Sequence, residues 1–387
     1  MRVTHVITRL VIGGAQENTI ATVLGLQGHS DLQVNLISGP TTGPEGSLES
    51  AFSSQRGLLT ILPSLIRPIH PWCDFLAWLR LVKMFRASSP HIVHTHSGKA
   101  GLLGRLAARR AGVPIIVHTV HGPSFGPFQG SLSNLAFRTS EKCAGQVTTH
   151  FISVADAMTR QYLAAGIGRP EQFTRIFSGF TLDPFLAARN DLQLRGRLGL
   201  APDDFVIGVI ARLFHLKGHD DLVTAAPEII RRHPKAKFLL VGDGTLRGHL
   251  QARAHAAGLE KHIYFAGLVP PADIPKYVGV MDALAHLSRR EGLPRALPQA
   301  LAVGRPVVAY DCDGANEVCF SDRTGFLIPV GDVKALAERL TQLAGDAPLR
   351  ERLGRCGREF VRENFAVETM VEKICALYQN LAPMETK

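Results

Sequence analysis

The chain has 387 residues, of which 45 % are hydrophobic and 20 % are charged. This composition excludes a disordered chain, and the length predicts two domains of about 150–200 residues. No apolar run approaches the roughly 20 residues that span a bilayer, and the start, MRVTHVITRL, lacks the apolar segment of a signal peptide. We therefore expect a cytoplasmic protein whose six dispersed cysteines are reduced and structural.

The net charge of +10 is concentrated in the first half of the chain. Residues 1–180 carry 16 Lys and Arg against 8 Asp and Glu, whereas the rest carries 27 against 25. A basic half favours an anionic partner, which could be nucleic acid, a phosphorylated substrate or an acidic membrane surface. A merely solubilising surface explains the charge equally well.

Short β-branched runs alternate with helical patterns through the first half. The indicated strands are RVTHVITRL, DLQVNLIS, HIVHTHS and PIIVHTVHG, and the indicated helices are GAQENTIATVLGLQG, CDFLAWLRLVKMFRAS and AGLLGRLAARRAG. Such alternation predicts a parallel sheet that helices cover on both faces.

The pattern restarts after a polar segment rich in Pro and Gly, SGFTLDPFLAARNDLQLRGRLGLAPDD, which is typical of a hinge. Six strands follow: FVIGVIARL, AKFLLVGDG, HIYFAGLV, DALAHLS, RPVVAYD and TGFLIPV. Helices are indicated at LVTAAPEIIRRH and VKALAERLTQLAG, and RENFAVETMVEKICALYQNLA is predicted as one closing helix. The fold class is therefore α/β, with two Rossmann-like doubly wound domains that face one cleft and comprise residues 1–180 and 181–365. A helix and tail over 366–387 follow, and we expect this helix to cross back to the first domain. In such sheets ligands bind beyond the carboxyl ends of the strands.

The first candidate motif, IGGAQENT, comes directly after the first strand. Gly13 and Gly14 remove side chains where a helix begins, so a phosphate could approach the backbone amides there. Two glycines before a helix are also common without function. The motif is not the six-residue dinucleotide fingerprint, so it does not indicate NAD.

The second motif, GVIARLFHLKGHDDL, places Arg212 and Lys217 in a strand-to-helix turn. A guanidinium and an ammonium group can together neutralise a diphosphate leaving group without a metal. Two exposed surface cations are the alternative interpretation.

The third motif is REGLPRALPQALAVGRPVVAYDCDGANE, in which Glu291 follows a strand and Gly292 turns the chain. Pro294 suits the first position of a helix, so the amides of Arg295 and Ala296 should point at an anionic ligand.

Two further residues of this motif lie inside the helix. Pro298 cannot donate a backbone hydrogen bond, so it predicts a loosened or kinked first turn. Gln299 can exchange hydrogen bonds with a diol such as a ribose.

Together with GGAQ, HTVHG and HIVHTHSGKAG, these motifs resemble the retaining glycosyltransferases of family 4, which have the GT-B fold, over nearly the whole chain. The resemblance implies that Glu291 reads the hydroxyls of the transferred sugar, as the first of two glutamates separated by seven residues. The second position is Gln299, which departs from the family pattern. An amide keeps at least one hydrogen bond to the nucleotide ribose and loses about 1 kcal/mol of charge-assisted strength.

The resemblance also implies the remaining roles. Arg212 and Lys217 match the diphosphate clamp, and His121 matches the histidine near the transferred sugar; together with Glu291, these are the four residues that we predict to be catalytic. The resemblance also implies that residues 1–180 bind the acceptor and residues 181–365 bind the nucleotide sugar. Gly14 matches the glycine whose backbone approaches the diphosphate, and Gln16 is expected to meet the acceptor. The rest of the donor pocket is expected to comprise Gly242, Leu268, Gly292, Leu293, Arg295 and Ala296. Glu317 matches a family position that is structural or functional.

Two other features are given the plainer interpretation. His94 and His96 share one face of a strand, as two metal ligands would, but no third ligand is evident, so we expect them to pack or hydrogen-bond. The helix with Trp72 and Trp78 could lie on a membrane, but we expect its apolar face to cover the sheet.

The resulting hypothesis is a glycosyltransferase that moves a hexose from a UDP- or GDP-sugar to a saccharide or polyprenyl-diphosphate-linked acceptor, with retention of configuration and without a metal or other cofactor. We also expect the enzyme to act in the assembly of surface polysaccharide or glycolipid, at the inner face of the cytoplasmic membrane and in contact with anionic lipid. A soluble anionic acceptor explains the basic half of the chain equally well. The alternative of the same fold is a nucleotide-sugar 2-epimerase. Nucleic-acid binding is not expected, since no recognised motif is present.

Overall fold

The chain folds as two units. The computed structural model describes residues 1–41, 46–55, 57–126 and 128–382. Unit 1 comprises Met1–Phe180 together with the segment from Val367 onward, and unit 2 comprises Thr181–Ala366. Each unit is built on its own parallel sheet.

The strands alternate with helices along most of the chain. The strands are β1 (Arg2–Ile7), β2 (Gln33–Ser38), β3 (Leu59–Ile61), β4 (Ile92–His96), β5 (Ile115–Val120), β6 (His150–Ser153), β7 (Phe173–Arg175), β8 (Phe205–Ile210), β9 (Ala236–Val241), β10 (Ile263–Gly267), β11 (Ala283–His286), β12 (Val307–Tyr310) and β13 (Gly325–Ile328). The helices are α1 (Gly14–Leu26), α2 (Pro71–Ser88), α3 (Gly98–Ala111), α4 (Ser131–Gln146), α5 (Asp156–Ala164), α6 (Asp183–Ala187), α7 (Leu192–Arg197), α8 (His219–Arg232), α9 (Arg247–Ala256), α10 (Ile274–Gly279), α11 (Ala296–Val303), α12 (Val333–Gly345), α13 (Ala347–Asn364) and α14 (Val367–Leu381).

The sheet of unit 1 has seven parallel strands in the order β3-β2-β1-β4-β5-β6-β7. Alternate residues of each strand face opposite sides. One face packs on α14, with residues such as Val3, Val117 and Ile374 in a common core. The other face packs on α2 and α3 through residues such as Val6 and Leu81. Because both faces are covered, the strands read as nearly continuous apolar runs.

The sheet of unit 2 has six parallel strands in the order β10-β9-β8-β11-β12-β13. Helices α8, α9 and α12 cover one face through a core that includes Leu222, Leu250 and Leu340. All six strands coincide with those that the sequence predicts. The prediction of two Rossmann-like α/β domains is therefore confirmed.

Three strands of unit 1 are absent from the sequence prediction. Two of them, β3 and β7, are three-residue strands at the two edges of the sheet, and their side chains are at least partly exposed. The third, β6, is buried but has only four residues. Such short runs carry too little periodicity to separate a strand from a loop.

The predicted closing helix is present as α14, although the segment RENFAVETMVEKICALYQNLA starts before it and includes the end of α13. Helix α13 ends at Asn364 and α14 begins at Val367. Phe365, which lies between them, is fully buried and packs edge-on against Phe360. The buried Phe365 ring marks the end of α13 in unit 2. Helix α14 then packs on the sheet of unit 1, as expected for a closing helix that returns to the first domain.

Among the described residues no helix combines the length and the apolar character needed to cross a membrane.

Candidate functional site

Each sheet has one position where the strand order reverses, so that the connections after two neighbouring strands run to opposite sides of the sheet. In folds of this class, ligands bind in the crevice that forms there. In unit 1 it lies between β1 and β4, and in unit 2 between β8 and β11. The turns after these strands hold most of the predicted residues. We describe the two units separately, beginning with unit 2.

The turn after β8 and the loop after β11 meet through an ion pair. The Lys217 ammonium group hydrogen-bonds the Glu291 carboxylate, and both side chains are mostly buried. Lys217 lies in the short 3-10 turn His215–Lys217 before α8, whereas Glu291 follows β11 after four further residues. The structure therefore brings together two of the four predicted catalytic residues.

His286, the last residue of β11, is the second partner of this carboxylate. Its Nε2 atom lies 3.5 Å from Oε1 of Glu291 and forms no hydrogen bond with any residue that the structure describes. Burial opposes ionisation of Glu291, but the neighbouring His286 imidazole and the charge of Lys217 outweigh it and hold the pKa of that carboxyl far below its usual range. Glu291 is therefore an anion at neutral pH.

Glycines allow the turns of unit 2 to approach one another closely. Gly218, between Lys217 and α8, has φ of 68°, and a Cβ atom there would lie 2.2 Å from the carbonyl oxygen of Leu287. Gly242, after β9, has φ of 136°, and its Cβ would lie 2.1 Å from the carbonyl oxygen of Ala211. Any other residue would push the turns after β8, β9 and β11 apart.

The loop that carries Glu291 is fixed by the turn after β12. The Glu291 amide donates to Oδ2 of Asp313 at 2.7 Å, and the Gly314 amide donates to the carbonyl of Gly292 at 3.1 Å. Asp313 itself has φ of 50°, an uncommon conformation for a residue with a side chain. These contacts fix the position of Glu291 from a segment more than twenty residues away.

The helix after this loop begins later than predicted. Arg295 is the N-cap and Ala296 the first helical residue of α11, so the expectation that Pro294 opens the helix is wrong. The carbonyl of Pro294 accepts from the Leu297 amide, at 3.3 Å, because Pro298 has no amide to donate to it. The three-residue spacing of this bond is the loosened first turn that Pro298 predicts.

The remaining predicted residues of unit 2 have side chains at or near the surface. Arg212 is exposed and Gln299 half-buried, and neither side chain forms a hydrogen bond or ion pair with any residue that the structure describes. Leu268 is 60 % exposed and follows Gly267, whose carbonyl accepts from the Gly242 amide. Both Gly292 and Leu293 are half-buried in the loop after Glu291. Glu317 ends the 3-10 turn that begins at Asp313.

In unit 1, the predicted residues follow β1 and β5, the two strands on either side of β4. Gly14 is exposed at the first position of α1. The Gln16 side chain folds back toward the start of the helix. Its Oε1 atom lies so near Gly13 that a Cβ atom built on Gly13 would be 2.9 Å from it. His121 directly follows β5, and burial lowers its pKa to about 4, so the ring is neutral at pH 7.

Behind His121 lies a cluster of imidazoles. His96 Nδ1 lies 3.3 Å from His121 Nε2, and His96 Nε2 lies 3.0 Å from His5 Nδ1. One ring nitrogen from each of His5, His94 and His96 lies within 4.8 Å of those of the other two. The third imidazole, which is not evident from the sequence, is His5, because β1 pairs with β4 and sets His5 beside His94. The rings hydrogen-bond, as the plainer interpretation expects.

Sequence reasoning missed His286, Asp313 and His5. His286 could have been found, because it ends a strand five residues before Glu291. Asp313 lies in the DCDG segment that follows β12, where a turn residue is easily taken for an ordinary loop. His5 could not be found, since pairing of β1 with β4 is a long-range property.

Comparisons with known proteins agree with this geometry. Residues 14–176 match the model of the glycosyl transferase 4-like domain, and residues 191–360 match that of glycosyl transferases group 1. UDP-Gal:alpha-D-GlcNAc-diphosphoundecaprenol alpha-1,3-galactosyltransferase of Escherichia coli is 29 % identical over 98 % of this chain and 96 % of its own. GDP-mannose-dependent alpha-(1-6)-phosphatidylinositol monomannoside mannosyltransferase of Mycobacterium tuberculosis is 30 % identical over 76 % of this chain and 77 % of its own. Among solved structures, Anabaena Alr3699/HepE in complex with UDP has a TM-score of 0.83 and 23 % identity, covering 98 % of this chain and 100 % of that one.

The fold and the sequence therefore define a nucleotide-sugar-dependent glycosyltransferase. The chain belongs to the group 1 glycosyltransferases, and the fold is the predicted GT-B class. The comparisons give no support to the 2-epimerase alternative.

Proposed function

We propose that the chain transfers a hexose from a UDP-sugar to a lipid-diphosphate-linked saccharide with retention of configuration, and that unit 2 holds the donor. The observation that carries the proposal is the buried pair of Lys217 and Glu291 at the point where the strand order of unit 2 reverses. An ammonium group suits a diphosphate, and an ionised carboxylate suits the hydroxyls of a sugar.

Donor binding changes the partners of Lys217. Without a donor, its charge is balanced by Glu291. A diphosphate competes for the ammonium group, with the exposed Arg212 as the second cation. Glu291 then keeps His286 as its partner and accepts hydrogen bonds from the sugar. Gln299 exchanges hydrogen bonds with the ribose, and Gly242 and Leu268 line the nucleotide pocket together with Gly292, Leu293, Arg295 and Ala296.

The proposed reaction is a front-face displacement. The bond between the anomeric carbon and the donor phosphate oxygen breaks, and the acceptor hydroxyl oxygen bonds to that carbon on the same face. The hydroxyl proton passes to the departing diphosphate. Lys217 and Arg212 stabilise the charge that builds on this leaving group, so most of their contribution belongs to the transition state. In the family resemblance His121 lies near the transferred sugar, Gly14 near the diphosphate and Gln16 near the acceptor.

The UDP donor and the lipid-linked acceptor are supported by relatives. The E. coli relative is named for UDP-Gal and for a diphosphoundecaprenol-linked acceptor, and it matches almost the whole chain. The Anabaena neighbour binds UDP and UDP-glucose. The M. tuberculosis relative is named for GDP-mannose, which makes a GDP-sugar the competing donor.

A surface of unit 1 supports action at an anionic membrane. One side of α2 packs on the sheet through Leu81 and Phe85, as expected. A second apolar stripe on and before α2 is between 42 % and 74 % exposed; it consists of Ile69, Trp72, Phe75 and Leu79. Exposed cations on the same helix are Arg80, Lys83 and Arg86. Aromatic rings beside cations are typical of segments that rest on a membrane interface.

The donor and the clamp are tested together. A thermal-shift screen of UDP-, GDP-, ADP- and dTDP-sugars should raise the melting temperature most with a UDP-sugar, because a bound donor stabilises the folded state by mass action. Transfer to a synthetic polyprenyl-diphosphate-linked saccharide should then fall by about 100–1,000-fold in Lys217→Ala. Lys235→Ala, which removes an exposed ion-paired lysine, is the control. Near-normal turnover in Lys217→Ala would refute the clamp.

The membrane contact has its own test. Sedimentation with vesicles of anionic lipid should capture the chain at low salt and less of it at high salt, because salt screens surface attraction. Trp72→Ala with Phe75→Ala should abolish capture, whereas the control Leu192→Ala with Val330→Ala, which removes exposed apolar residues of unit 2, should not. Equal capture of both double variants would rule out this stripe as the contact.

A further inference from the structure

A chain of hydrogen-bonded rings leads from His121 to helix α14. His121 Nε2 lies 3.3 Å from His96 Nδ1, His96 Nε2 lies 3.0 Å from His5 Nδ1, and His5 Nε2 lies 3.4 Å from the Tyr378 hydroxyl. We call these four residues the histidine chain. His5, His96 and Tyr378 are completely buried. The known roles of the family account for His121 alone.

The Tyr378 hydroxyl determines the direction of these hydrogen bonds. It has one proton and two imidazole neighbours, with His94 Nδ1 at 2.5 Å and His5 Nε2 at 3.4 Å. His94 meets two hydroxyls, and the phenol of Tyr378 is a stronger acid, and so a better donor, than the aliphatic hydroxyl of Thr119. Tyr378 therefore donates to His94, whose Nε2–H donates in turn to Thr119 Oγ1 at 2.6 Å. The Tyr378 oxygen is left as the acceptor for His5.

The remaining tautomers follow in sequence, because a neutral imidazole has one N–H and one lone pair. His5 donates from Nε2 to Tyr378, so its Nδ1 is an acceptor. His96 must then donate from Nε2 to His5 and accept at Nδ1. His121 must donate from Nε2 to His96, which leaves a lone pair on its Nδ1.

We propose that His96, His5 and Tyr378 are positioning residues that hold His121 as its Nε2–H tautomer, so that Nδ1 accepts a hydrogen bond from a hydroxyl group of the ligand. The inference rests on the proposed function, in which His121 meets the transferred sugar. A lone pair attracts a sugar hydroxyl and repels a phosphate or carboxylate oxygen. His121 is thus assigned to a hydroxyl and not to the diphosphate of the donor.

Burial supports the neutrality on which this assignment depends. It lowers the pKa of His5 to about 3 and that of His121 to about 4, and it holds the pKa of His96 well below its usual range. All three rings are neutral at pH 7. Each can therefore serve as one donor and one acceptor in the chain.

The tautomer can be measured without any substrate. The full chain labelled with 15N-histidine would be examined by long-range 1H–15N correlation at pH 7.5, with His121 assigned through the missing signals of His121→Gln. We expect a protonated Nε2 and an unprotonated Nδ1. His96→Leu should give a mixture of tautomers, whereas His96→Asn, whose Oδ1 can still accept, should keep the native one. Tyr378→Phe should also give a mixture of His121 tautomers, although Tyr378 lies on α14 and does not contact His121.

His118→Leu is the matched control. His118 is buried on the same sheet but on the opposite face, where its Nδ1 hydrogen-bonds the Thr95 hydroxyl at 2.9 Å. Its loss removes a buried neutral imidazole without touching the histidine chain. The native tautomer of His121 should persist in this variant.

The activity readout separates positioning from folding. His96→Leu should lower kcat for sugar transfer by about 10–100-fold, and His96→Asn should restore most of it. An Nδ1–H tautomer in the native protein, or an unchanged tautomer in His96→Leu, would overturn the proposal. Native tautomer behaviour in a protein that transfers no sugar would instead refute the proposed function and leave the positioning intact.

Discussion

At the scale of residues, the central feature is a cation that is already paired before its ligand arrives. The mostly buried Lys217 ammonium group is balanced by Glu291, and removing either partner would leave an uncompensated charge. The pair keeps Lys217 in place, and in the proposed donor complex a diphosphate takes over the ammonium group while His286 remains beside the carboxylate. The local chemistry thus assigns a supporting role to a histidine that the motifs did not identify.

Substitution of His286 should move the pH dependence of the reaction. His286 and Lys217 together depress the pKa of Glu291, so His286→Leu should raise it. In the proposed function the ionised carboxylate accepts hydrogen bonds from the sugar. Because the native pKa of Glu291 lies far below its usual range, the native kcat/KM profile should have no acidic limb from Glu291 above pH 4, and His286→Leu should introduce one. Initial rates between pH 4 and 9 provide the measurement, with the exposed His255→Leu as control. Profiles of His286→Leu and the native protein that superimpose between pH 4 and 9 would contradict a role of His286 in keeping Glu291 ionised.

Gln299 gives a second prediction at this scale. Its side chain has no hydrogen-bond partner among the described residues, which leaves the amide available to a ribose. Gln299→Glu should tighten UDP-sugar binding by about fivefold, since a charge-assisted hydrogen bond gains about 1 kcal/mol. Titration calorimetry measures the change against Gln251→Glu on the exposed surface of α9. Unchanged affinity would show that Gln299 does not face the ribose.

At the scale of elements, the sequence predicts those parts that depend on local pattern. Every strand of unit 2 is predicted, because each is a short and largely apolar run with Gly, Pro or Asp near at least one end. The turns that carry Lys217 and Glu291 were predicted for the same reason. The start of α11 was placed two residues early, because Pro294 suits a first helical position that Arg295 and Ala296 occupy instead.

What the sequence could not predict depends on pairing between distant segments. The contact of His5 with His96 requires β1 to pair with β4, and that of His94 with Tyr378 requires α14 to pack on the same face. The Asp313 contact that holds the Glu291 loop joins two turns in the same way. Periodicity identifies elements, whereas their neighbours are determined by the whole chain.

The buried imidazoles of the unit 1 sheet predict that the folded state of this unit is sensitive to acid. Burial lowers the folded-state pKa of His5 and His121 to about 3 and 4, and holds those of His94, His96 and His118 well below the usual value. Below about pH 6.5 the unfolded chain therefore binds protons that the folded one does not. The stability of unit 1 should be fully present above that pH and be lost as the pH falls toward 4, by up to about 1.4 kcal/mol per pH unit for each ring.

Urea unfolding measures this loss directly. Both tryptophans of the chain, Trp72 and Trp78, lie on α2, so their fluorescence reports on unit 1. The unfolding midpoint should fall steeply between pH 7 and pH 5, and His5→Leu should make the dependence shallower by about one proton. A midpoint that is flat over this range would contradict neutral burial of the cluster.

At the scale of the whole molecule, two sheets of similar topology carry different sets of candidate functional side chains. Unit 2 presents Lys217, Arg212 and Glu291 after the strands at its reversal point, whereas unit 1 carries most of the net positive charge and the histidine chain. We assign the donor to the first set and the acceptor to the basic unit. The membership of both units in glycosyltransferase families agrees with this division.

The central claim is that two cations of unit 2 hold the diphosphate of the donor. Titration calorimetry with UDP and with UMP tests it, because the two nucleotides share base and ribose and differ by one phosphate. We predict that UDP binds at least about 10-fold more tightly than UMP, and that most of this advantage disappears in Lys217→Ala with Arg212→Ala. Equal affinity for UDP and UMP, or an advantage that survives in the double variant, would contradict the account.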